Sequence, residues 1–241
     1  MNKTILITGG AIRIGKAICE KFHKEGFNVL CHYNSSKKYA DELAEELNSI
    51  RKNSCSIIQF DLNDIDKYPI FIKKVKQLSI SIDVLVNNAS AFYSSPLDNY
   101  KERDWEDLHN SNLRGPFLIS SLLRENIKSS KGSIINITDA MVLRGMKDYS
   151  IYSAAKGGLE TLTRSLARDL APDITVNGVA PGAILLPSDG SSDESLLLSK
   201  IPLGRLGTEE DIASAVFFLS TNEYITGQIL RVDAGMSTLK I

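Results

Sequence analysis

Residues 3–15 read Lys-Thr-Ile-Leu-Ile-Thr-Gly-Gly-Ala-Ile-Arg-Ile-Gly, a short β-branched run that leads into a glycine turn. The run predicts a buried strand, and the apolar spacing beyond the turn predicts a helix over 14–25. Glycines between a strand and a helix let the backbone approach a pyrophosphate, which the helix N-terminus stabilises. The same turn can be only a tight connection, so a dinucleotide site needs further support.

The alternation of strand and helix patterns continues along the chain. Strands are predicted over 28–33, 56–60, 83–86, 133–138, 175–179 and 228–232, and helices over 37–51, 67–78, 104–129, 150–170 and 208–219. This order predicts an α/β fold, a single-domain Rossmann-type doubly wound parallel sheet with helices on both faces. Ligands of such sheets bind at the carboxyl ends of the strands, near the switch point.

Length, charge and cysteine content limit the class of protein. The 241 residues suit one domain over 1–241, since single cores grow to roughly 250 to 300 residues before they split. The net charge of −1, with mixed signs along the chain, indicates small-molecule partners rather than nucleic acid. No stretch is long enough to span a membrane. Cys19, Cys31 and Cys55 form no CxxC pair, which indicates reduced thiols in the cytoplasm.

Two further features concern metals and loops. No cluster of His, Cys and carboxylate residues has the spacing of a metal site, so no metal is expected. The segment Pro187–Ser195 is rich in Ser, Asp and Gly and is predicted to be a mobile loop.

The residues after the second strand indicate which dinucleotide binds. NAD sites usually carry Asp or Glu there, roughly 20 residues after the glycine turn. Residues 31–38 read Cys-His-Tyr-Asn-Ser-Ser-Lys-Lys, and no carboxylate occurs before Asp41. Hydroxyl, imidazole and ammonium groups stand where a 2′-phosphate would lie, which favours NADPH/NADP+. Ser35 and Ser36 can also cap the helix that begins near Lys37.

A second group of residues predicts a reductase. Tyr152 and Lys156 project from one face of a helix, so the ammonium can lower the phenol's pKa and hold a cofactor ribose. Asp139 follows the fifth predicted strand, at the edge of the sheet where ligands bind. A Tyr–Lys pair at this spacing also occurs on many solvated helices, so its weight comes from the other motifs.

Together these motifs resemble the short-chain dehydrogenase/reductase family over essentially the whole chain. The other supporting motifs are Asp61-Leu62, Asn87-Asn88-Ala89-Ser90, Asn112, Asn177 with Pro181-Gly182, Pro202-Leu203-Gly204-Arg205 and Val232-Asp233. The resemblance implies a tetrad of Asn112, Asp139, Tyr152 and Lys156. It also implies a homotetramer built on the Tyr152 helix and the long helix before it.

The resemblance implies the ligand contacts as well. The cofactor residues are Gly9, Arg13, Ile14, Gly15, His32, Tyr33, Asn34, Ser35, Ser36, Asp61, Leu62, Asn88, Ala89, Ser90, Tyr152, Lys156, Pro181 and Gly182. The substrate residues are Arg13, Ser90, Phe92, Asp139 and Tyr152, with a substrate loop near 183–200.

Two residues depart from the family's common pattern. Arg13 occupies the place of the middle glycine, and Asp139 replaces the usual active-site serine. Both changes resemble the pteridine reductase branch, which includes enzymes that reduce dihydromonapterin and dihydrofolate. An ionised carboxylate repels a developing alkoxide, whereas reduction of a ring C=N needs a proton at nitrogen. Tyr152, replenished through Asp139 or water, can supply that proton.

The sequence therefore predicts an NADPH-dependent pteridine reductase that converts a 7,8-dihydropterin to the tetrahydropterin. In that interpretation Phe92 stacks on the pterin, and Arg13 bridges the cofactor phosphate and the pterin edge. Phe92 can instead belong to the core, Asp139 can form a turn, and Arg13 can bind only pyrophosphate. Two alternatives stay open, a 3-oxoacyl thioester or other carbonyl reductase of the same family and a non-catalytic NADP-binding regulator.

Overall fold

The computed structural model describes residues 3–79, 81–184, 194–199 and 201–238. The strands are β1 (Thr4–Ile7), β2 (Asn28–Tyr33), β3 (Cys55–Gln59), β4 (Val84–Asn87), β5 (Ser133–Ile137), β6 (Thr175–Pro181) and β7 (Ile229–Val232). The helices are α1 (Arg13–Lys24), α2 (Lys37–Ile50), α3 (Tyr68–Leu78), α4 (Glu102–His109), α5 (Gly115–Lys128), α6 (Ser150–Asp169), α7 (Glu194–Ser199) and α8 (Glu209–Thr221).

The strands form one parallel sheet in the order β3-β2-β1-β4-β5-β6-β7. The chain runs outward from β1 to β3 and then returns to place β4 on the other side of β1. The switch point therefore lies between β1 and β4, where a crevice opens at the carboxyl ends. This topology confirms the predicted Rossmann-type fold.

Helices cover both faces of the sheet because alternate strand side chains point to opposite sides. Ile5 and Ile7 of β1 pack into a core with α1, α2 and α8, whereas Leu6 between them packs into a second core with α3, α5 and α6. Both cores are continuous across the sheet, so the strand ends that carry the polar residues are held rigidly.

The predicted helix over 104–129 differs in detail from the structure. It comprises α4, a π-helical turn at Asn110–Arg114, and α5. A Cβ on Gly115 would lie 2.8 Å from the Asn110 carbonyl oxygen and 2.9 Å from the Tyr68 hydroxyl, so the chain approaches closely there. Insertions of this kind are frequent at functional sites, and this one carries Asn112.

The segment after β6 was predicted as a loop. Residues 187–193 of this loop, and residues 185–193 and 200 of the expected substrate loop, lie outside the described residues. Glu194 and Ser195 begin the short helix α7. None of the described helices is long and apolar enough to cross a membrane. The three cysteines are free and buried.

Candidate active site

The carboxyl ends of β1 to β6 open into one elongated cleft of about 680 Å³. The predicted site residues that line it are Gly9, Arg13, Ile14, Gly15, His32, Tyr33, Asn34, Ser35, Ser36, Asp61, Leu62, Asn88, Ala89, Ser90, Phe92, Asp139, Tyr152, Lys156, Pro181 and Gly182. The remaining one, Asn112, does not line the cleft. The fold thus brings distant motifs to one edge of the sheet.

The glycine turn forms one wall near the middle of the cleft. Gly9 has a φ of 62°, and a Cβ there would lie 3.0 Å from the Ala89 Cα. A Cβ on Gly15 would lie 2.0 Å from the Gly9 carbonyl oxygen. The Asn88 amide donates to the carbonyl oxygens of Thr8 and Gly9 at 3.0 and 2.9 Å. The turn is therefore a tight backbone cradle at the N-terminus of α1, which fits a pyrophosphate.

Arg13 stands in this cradle with a φ of 51°, in the left-handed region that glycine favours. The backbone at this position explains why the family pattern has a glycine here. The Arg13 side chain is exposed in the cleft, and no described residue forms an ion pair or hydrogen bond with its guanidinium. It is available to bind a phosphate oxygen.

The adenosine end of the cleft follows β2. Tyr33, Asn34, Ser35 and Ser36 line it, and Ser36 begins α2 without a side-chain cap hydrogen bond. Its hydroxyl is therefore not used as a cap, and it can bond a 2′-phosphate.

The basic groups expected beside the 2′-phosphate lie elsewhere. Lys37 pairs with Asp41 at 2.7 Å and Lys38 with Glu42 at 3.8 Å, each one helical turn away on α2, and neither lysine lines the cleft. Carboxylates one turn further along the same helix bind both ammonium groups, so their contact with a 2′-phosphate stays a prediction. The hydroxyls of the two preceding serines remain as donors.

The opposite end of the cleft lies between the end of β5 and the first turns of α6. The Tyr152 hydroxyl donates to Asp139 Oδ2 at 2.8 Å, and the Met141 amide donates to Asp139 Oδ1 at 2.7 Å. Lys156 Nζ donates to the Ile137 carbonyl oxygen at 2.8 Å. Asp139 thus caps a short 3-10 turn over Ala140–Leu143 and also accepts from the phenol, so it forms a turn and lines the site.

Burial is the largest influence on the pKa values of Tyr152 and Lys156 at this end of the cleft. Burial and the adjacent Asp139 carboxylate raise the pKa of Tyr152 far above its ordinary value, against a smaller lowering by the Ser90 hydroxyl. Burial lowers the pKa of Lys156 to about 8, against the opposing charge of Asp139. The expected lowering of the phenol's pKa is therefore wrong for the protein without its cofactor. The phenol keeps its proton at neutral pH, as a proton donor must.

Asn112 positions the loop after β4. Its amide donates to the carbonyl oxygens of Ala91 and Leu108 at 2.9 Å each, and its Oδ1 accepts from the Ser90 hydroxyl at 2.7 Å. The side chain is fully buried. The π-helical turn thus directs the side chain to backbone carbonyls and to Ser90 rather than into the cleft.

Phe92 forms an aromatic wall beside the phenol. Its ring stacks on Tyr149 with centroids 4.9 Å apart and meets Tyr152 edge-on, also at 4.9 Å. The side chain is 57% exposed and lines the cleft. The alternative that Phe92 belongs to the core is therefore wrong.

Three supporting residues were missed from the sequence. The Thr8 hydroxyl accepts from the amides of Asn88 and Ala89 at 2.9 and 3.0 Å, and the Ile137 carbonyl and Met141 amide hold the Lys156 and Asp139 side chains. Thr8 could have been found because it directly precedes the glycine turn. The other two act through the backbone, which leaves no signal in residue type.

Comparison with known proteins identifies the family. A family model described as enoyl-(acyl carrier protein) reductase matches residues 10–237. The chain belongs to the short-chain dehydrogenase/reductase family. The chain is also similar to proteins named 3-oxoacyl-[acyl-carrier-protein] reductase FabG. It is 38% identical to the protein from Staphylococcus aureus, 36% identical to that from Thermotoga maritima and 34% identical to that from Chlamydia muridarum. Each comparison covers 98% of both chains.

These relatives overturn the predicted pteridine reductase function of this short-chain dehydrogenase/reductase. They match the whole chain and are named for reduction of a 3-oxoacyl group, which supports the carbonyl reductase alternative. Arg13 and Asp139 carried too much weight in the pteridine interpretation. The structure gives each of them a local role, since Arg13 occupies a left-handed turn position and Asp139 caps the turn after β5.

Family membership confirms that the protein is an oxidoreductase with NADPH/NADP+ as its cofactor. The cradle around Gly9 and Gly15 fits the pyrophosphate, and the serines before α2 fit the 2′-phosphate. Among the described residues, no group of three or more His, Cys, Asp and Glu side chains is placed to hold a metal.

We expect Ser36→Asp to reverse the preference between NADPH and NADH. The new carboxylate would repel a 2′-phosphate and accept hydrogen bonds from the free ribose hydroxyls. Each lost charge-assisted bond contributes about 1.5 to 3 kcal/mol, so NADPH affinity should fall by roughly tenfold or more. Fluorescence titration of both cofactors measures this. Ser49→Asp, at the far end of α2 and exposed, is the control and should leave both affinities unchanged. Equal NADPH affinity of Ser36→Asp and the unmodified protein would contradict the assignment.

Proposed function

We propose that this protein reduces the 3-oxo group of an acyl thioester to the 3-hydroxyacyl thioester, with NADPH as the reductant. The observation that carries the proposal is similarity over 98% of both chains to relatives named for that reaction. The Tyr152–Lys156 pair at the carboxyl end of β5 supplies the chemistry that the reaction needs. Mass spectrometry of the product tests it directly, since a 3-hydroxyacyl thioester should accumulate as NADPH is consumed.

Tyr152 acts as the proton donor in this proposal. When bound, NADPH would supply a hydride to the carbonyl carbon, and the π electrons of the C=O bond would move to oxygen. Tyr152 gives its proton to that oxygen and completes the alcohol, then regains a proton from solvent. The buried phenol holds the proton until the oxygen develops charge, because ionisation inside the cleft is costly.

Lys156 and Ser90 support the phenol. Lys156 is fixed by its bond to the Ile137 carbonyl, with its Nζ 5.9 Å from the centre of the Tyr152 ring. As an ammonium it would hold the cofactor ribose and stabilise the phenolate left after proton transfer. Ser90 lines the cleft and opposes the rise in the phenol's pKa. Its hydroxyl donates to Asn112 Oδ1 at 2.7 Å, so it would have to turn away from Asn112 to orient the carbonyl oxygen beside Tyr152.

Asp139 restrains the reaction rather than driving it. Its Oδ2 accepts a hydrogen bond from the Tyr152 hydroxyl at 2.8 Å, so this hydrogen bond must be broken before the proton reaches the substrate. A carboxylate also repels the alkoxide that develops nearby. The bond from the Met141 amide partly offsets this charge.

Asp139→Ser should hold thioester reduction steady or raise kcat by up to about tenfold, since release of a hydrogen bond to a charged acceptor lowers the barrier by at most about 1.5 kcal/mol. Steady-state kinetics of the variant and of Asp98→Ser, which changes an exposed carboxylate, give the comparison. A large loss of kcat with unchanged NADPH affinity would show instead that Asp139 relays protons.

Two further features belong to the proposal. We infer that Ala183 and Ile184, which line the cleft after β6, belong to the substrate-binding part of the site. We also infer a homotetramer. Trp105 on α4 and Phe117 and Leu122 on α5 are exposed apolar side chains that subunit contacts would cover. Sedimentation measurement of the native mass tests the assembly.

A further inference from the structure

His32 is a buried imidazole at the end of β2, with 1% of its surface exposed. Its Nδ1 lies 3.1 Å from the Gly9 amide nitrogen, and its Nε2 lies 3.0 Å from the Phe60 carbonyl oxygen. A backbone amide only donates and a carbonyl only accepts, so Nδ1 carries the lone pair and Nε2 the proton. The two partners therefore fix one neutral tautomer.

The surroundings keep the ring neutral. Burial lowers the pKa of His32 to about 4, against the bond to the Phe60 carbonyl and the nearby Asp61 carboxylate, which raise it. The ring also meets Phe71 edge-on, with centroids 5.6 Å apart. At neutral pH the imidazole is thus a permanent hydrogen-bond acceptor toward the glycine turn. Both ring nitrogens are used in these bonds, so the imidazole that the sequence placed near the 2′-phosphate acts on the backbone instead.

The bonds of His32 act on the turn that forms the pyrophosphate cradle. The Gly10 amide donates to the His32 carbonyl oxygen at 2.9 Å, so two successive amides of the turn bond to one residue. On the other side, the Asn88 amide holds the Gly9 carbonyl. The turn is clamped between the ends of β2 and β4. Gly9, with its left-handed φ of 62°, stands at the centre of the clamp.

We propose that His32 is a positioning residue for the cofactor. Its imidazole sets the direction of the Gly9 amide, and thereby the curvature of the cradle that receives the pyrophosphate. Its Nε2 ties the same turn to the end of β3, next to Asp61 at the adenosine end of the cleft. The inference rests on the cofactor and not on the thioester substrate, so the two proposals can fail independently.

Two substitutions separate the two bonds of the ring. In His32→Asn, the side-chain oxygen can take the place of Nδ1 and accept from the Gly9 amide, while the bond to Phe60 is lost. In His32→Gln, the side-chain NH₂ can reach the place of Nε2 and donate to Phe60, but nothing accepts from Gly9. We expect His32→Gln to raise the Kd for NADPH by roughly tenfold or more and His32→Asn to change it less than about threefold.

His23 supplies a matched control. It is also a buried histidine, 5% exposed, and its Nε2 bonds the Ser54 hydroxyl at 2.7 Å, but it does not line the cleft. His23→Gln should lower the thermal midpoint without changing NADPH affinity. Measurement of the midpoint for every variant separates lost stability from lost positioning.

Fluorescence titration gives the Kd for NADPH. Hydrogen exchange of the Gly9 amide, measured by NMR, reports whether its hydrogen bond to residue 32 is kept and needs no enzymatic turnover. Exchange should speed up in His32→Gln and stay slow in His32→Asn. The proposal is overturned if both His32 variants weaken NADPH binding equally, if neither does, or if the Gly9 amide in His32→Gln exchanges at the rate of the unmodified protein.

Discussion

Tyr152→Phe should reduce the turnover of a 3-oxoacyl thioester by about 10²- to 10⁴-fold, the usual contribution of a positioned acid. The substitution removes the transferable proton and keeps the buried ring, which is 4% exposed. The NADPH Kd should stay within about threefold, because the phenol's hydrogen bond goes to Asp139 and little contact area is lost. Steady-state kinetics and fluorescence titration measure the two quantities separately.

Tyr149→Phe is the matched control for this substitution. Tyr149 belongs to the same aromatic wall, stacked on Phe92, but precedes the helix that carries the proton donor. It should retain most of the activity. If Tyr152→Phe also kept most of its activity, the assignment of the acid would be wrong.

Lys156→Met should impair both NADPH binding and turnover. The lysine is 2% exposed, so methionine can fill its volume but supplies no charge for the ribose and no donor for the Ile137 carbonyl. Loss of charge-assisted bonds should raise the NADPH Kd by roughly tenfold or more. Turnover should fall further, because the phenolate formed after proton transfer loses its counter-charge.

The same lysine predicts a dependence of binding on pH. Burial lowers the pKa of Lys156 from 10.5 to about 8, so the ammonium is present below pH 8 and is lost as the pH rises through that value. NADPH affinity of the unmodified protein should therefore decrease above about pH 8. Lys156→Met should lack this decrease, and an identical pH profile in both proteins would show that the lysine does not contact the cofactor.

Much of the fold follows from local sequence. β2 begins and ends at the predicted residues, and α6 ends one residue before its predicted limit at 170, because β-branched runs and apolar helical spacing act locally. The π-helical turn at Asn110–Arg114 could not be predicted. The helical pattern of the sequence runs through it without a break, and the close approach of Gly115 to Tyr68 beside it joins distant parts of the chain.

The positions of the site residues were predicted well, but their chemical roles were predicted less well. The ends of parallel strands fixed which residues line the cleft, because sheet topology alone gathers them. The predicted roles were wrong where neighbouring groups or burial set the charge or the pKa of a side chain. Asp41 binds Lys37, burial lowers the pKa of His32, and burial together with Asp139 raises the pKa of Tyr152. The predicted substrate class was wrong because the Asp139 carboxylate was given more weight than the similarity over 98% of the chain.

The central claim is the substrate class, and the most direct test is the rate of NADPH oxidation with a panel of acceptors. The panel comprises an acetoacetyl thioester on coenzyme A, the same acyl group on acyl carrier protein, a simple ketone and a 7,8-dihydropterin. The proposal predicts that kcat/KM for at least one thioester exceeds that for the ketone and the dihydropterin by roughly tenfold or more, since recognition of the thioester adds binding energy in the transition state. Failure to reduce either thioester, with the dihydropterin or the ketone reduced instead, would contradict it.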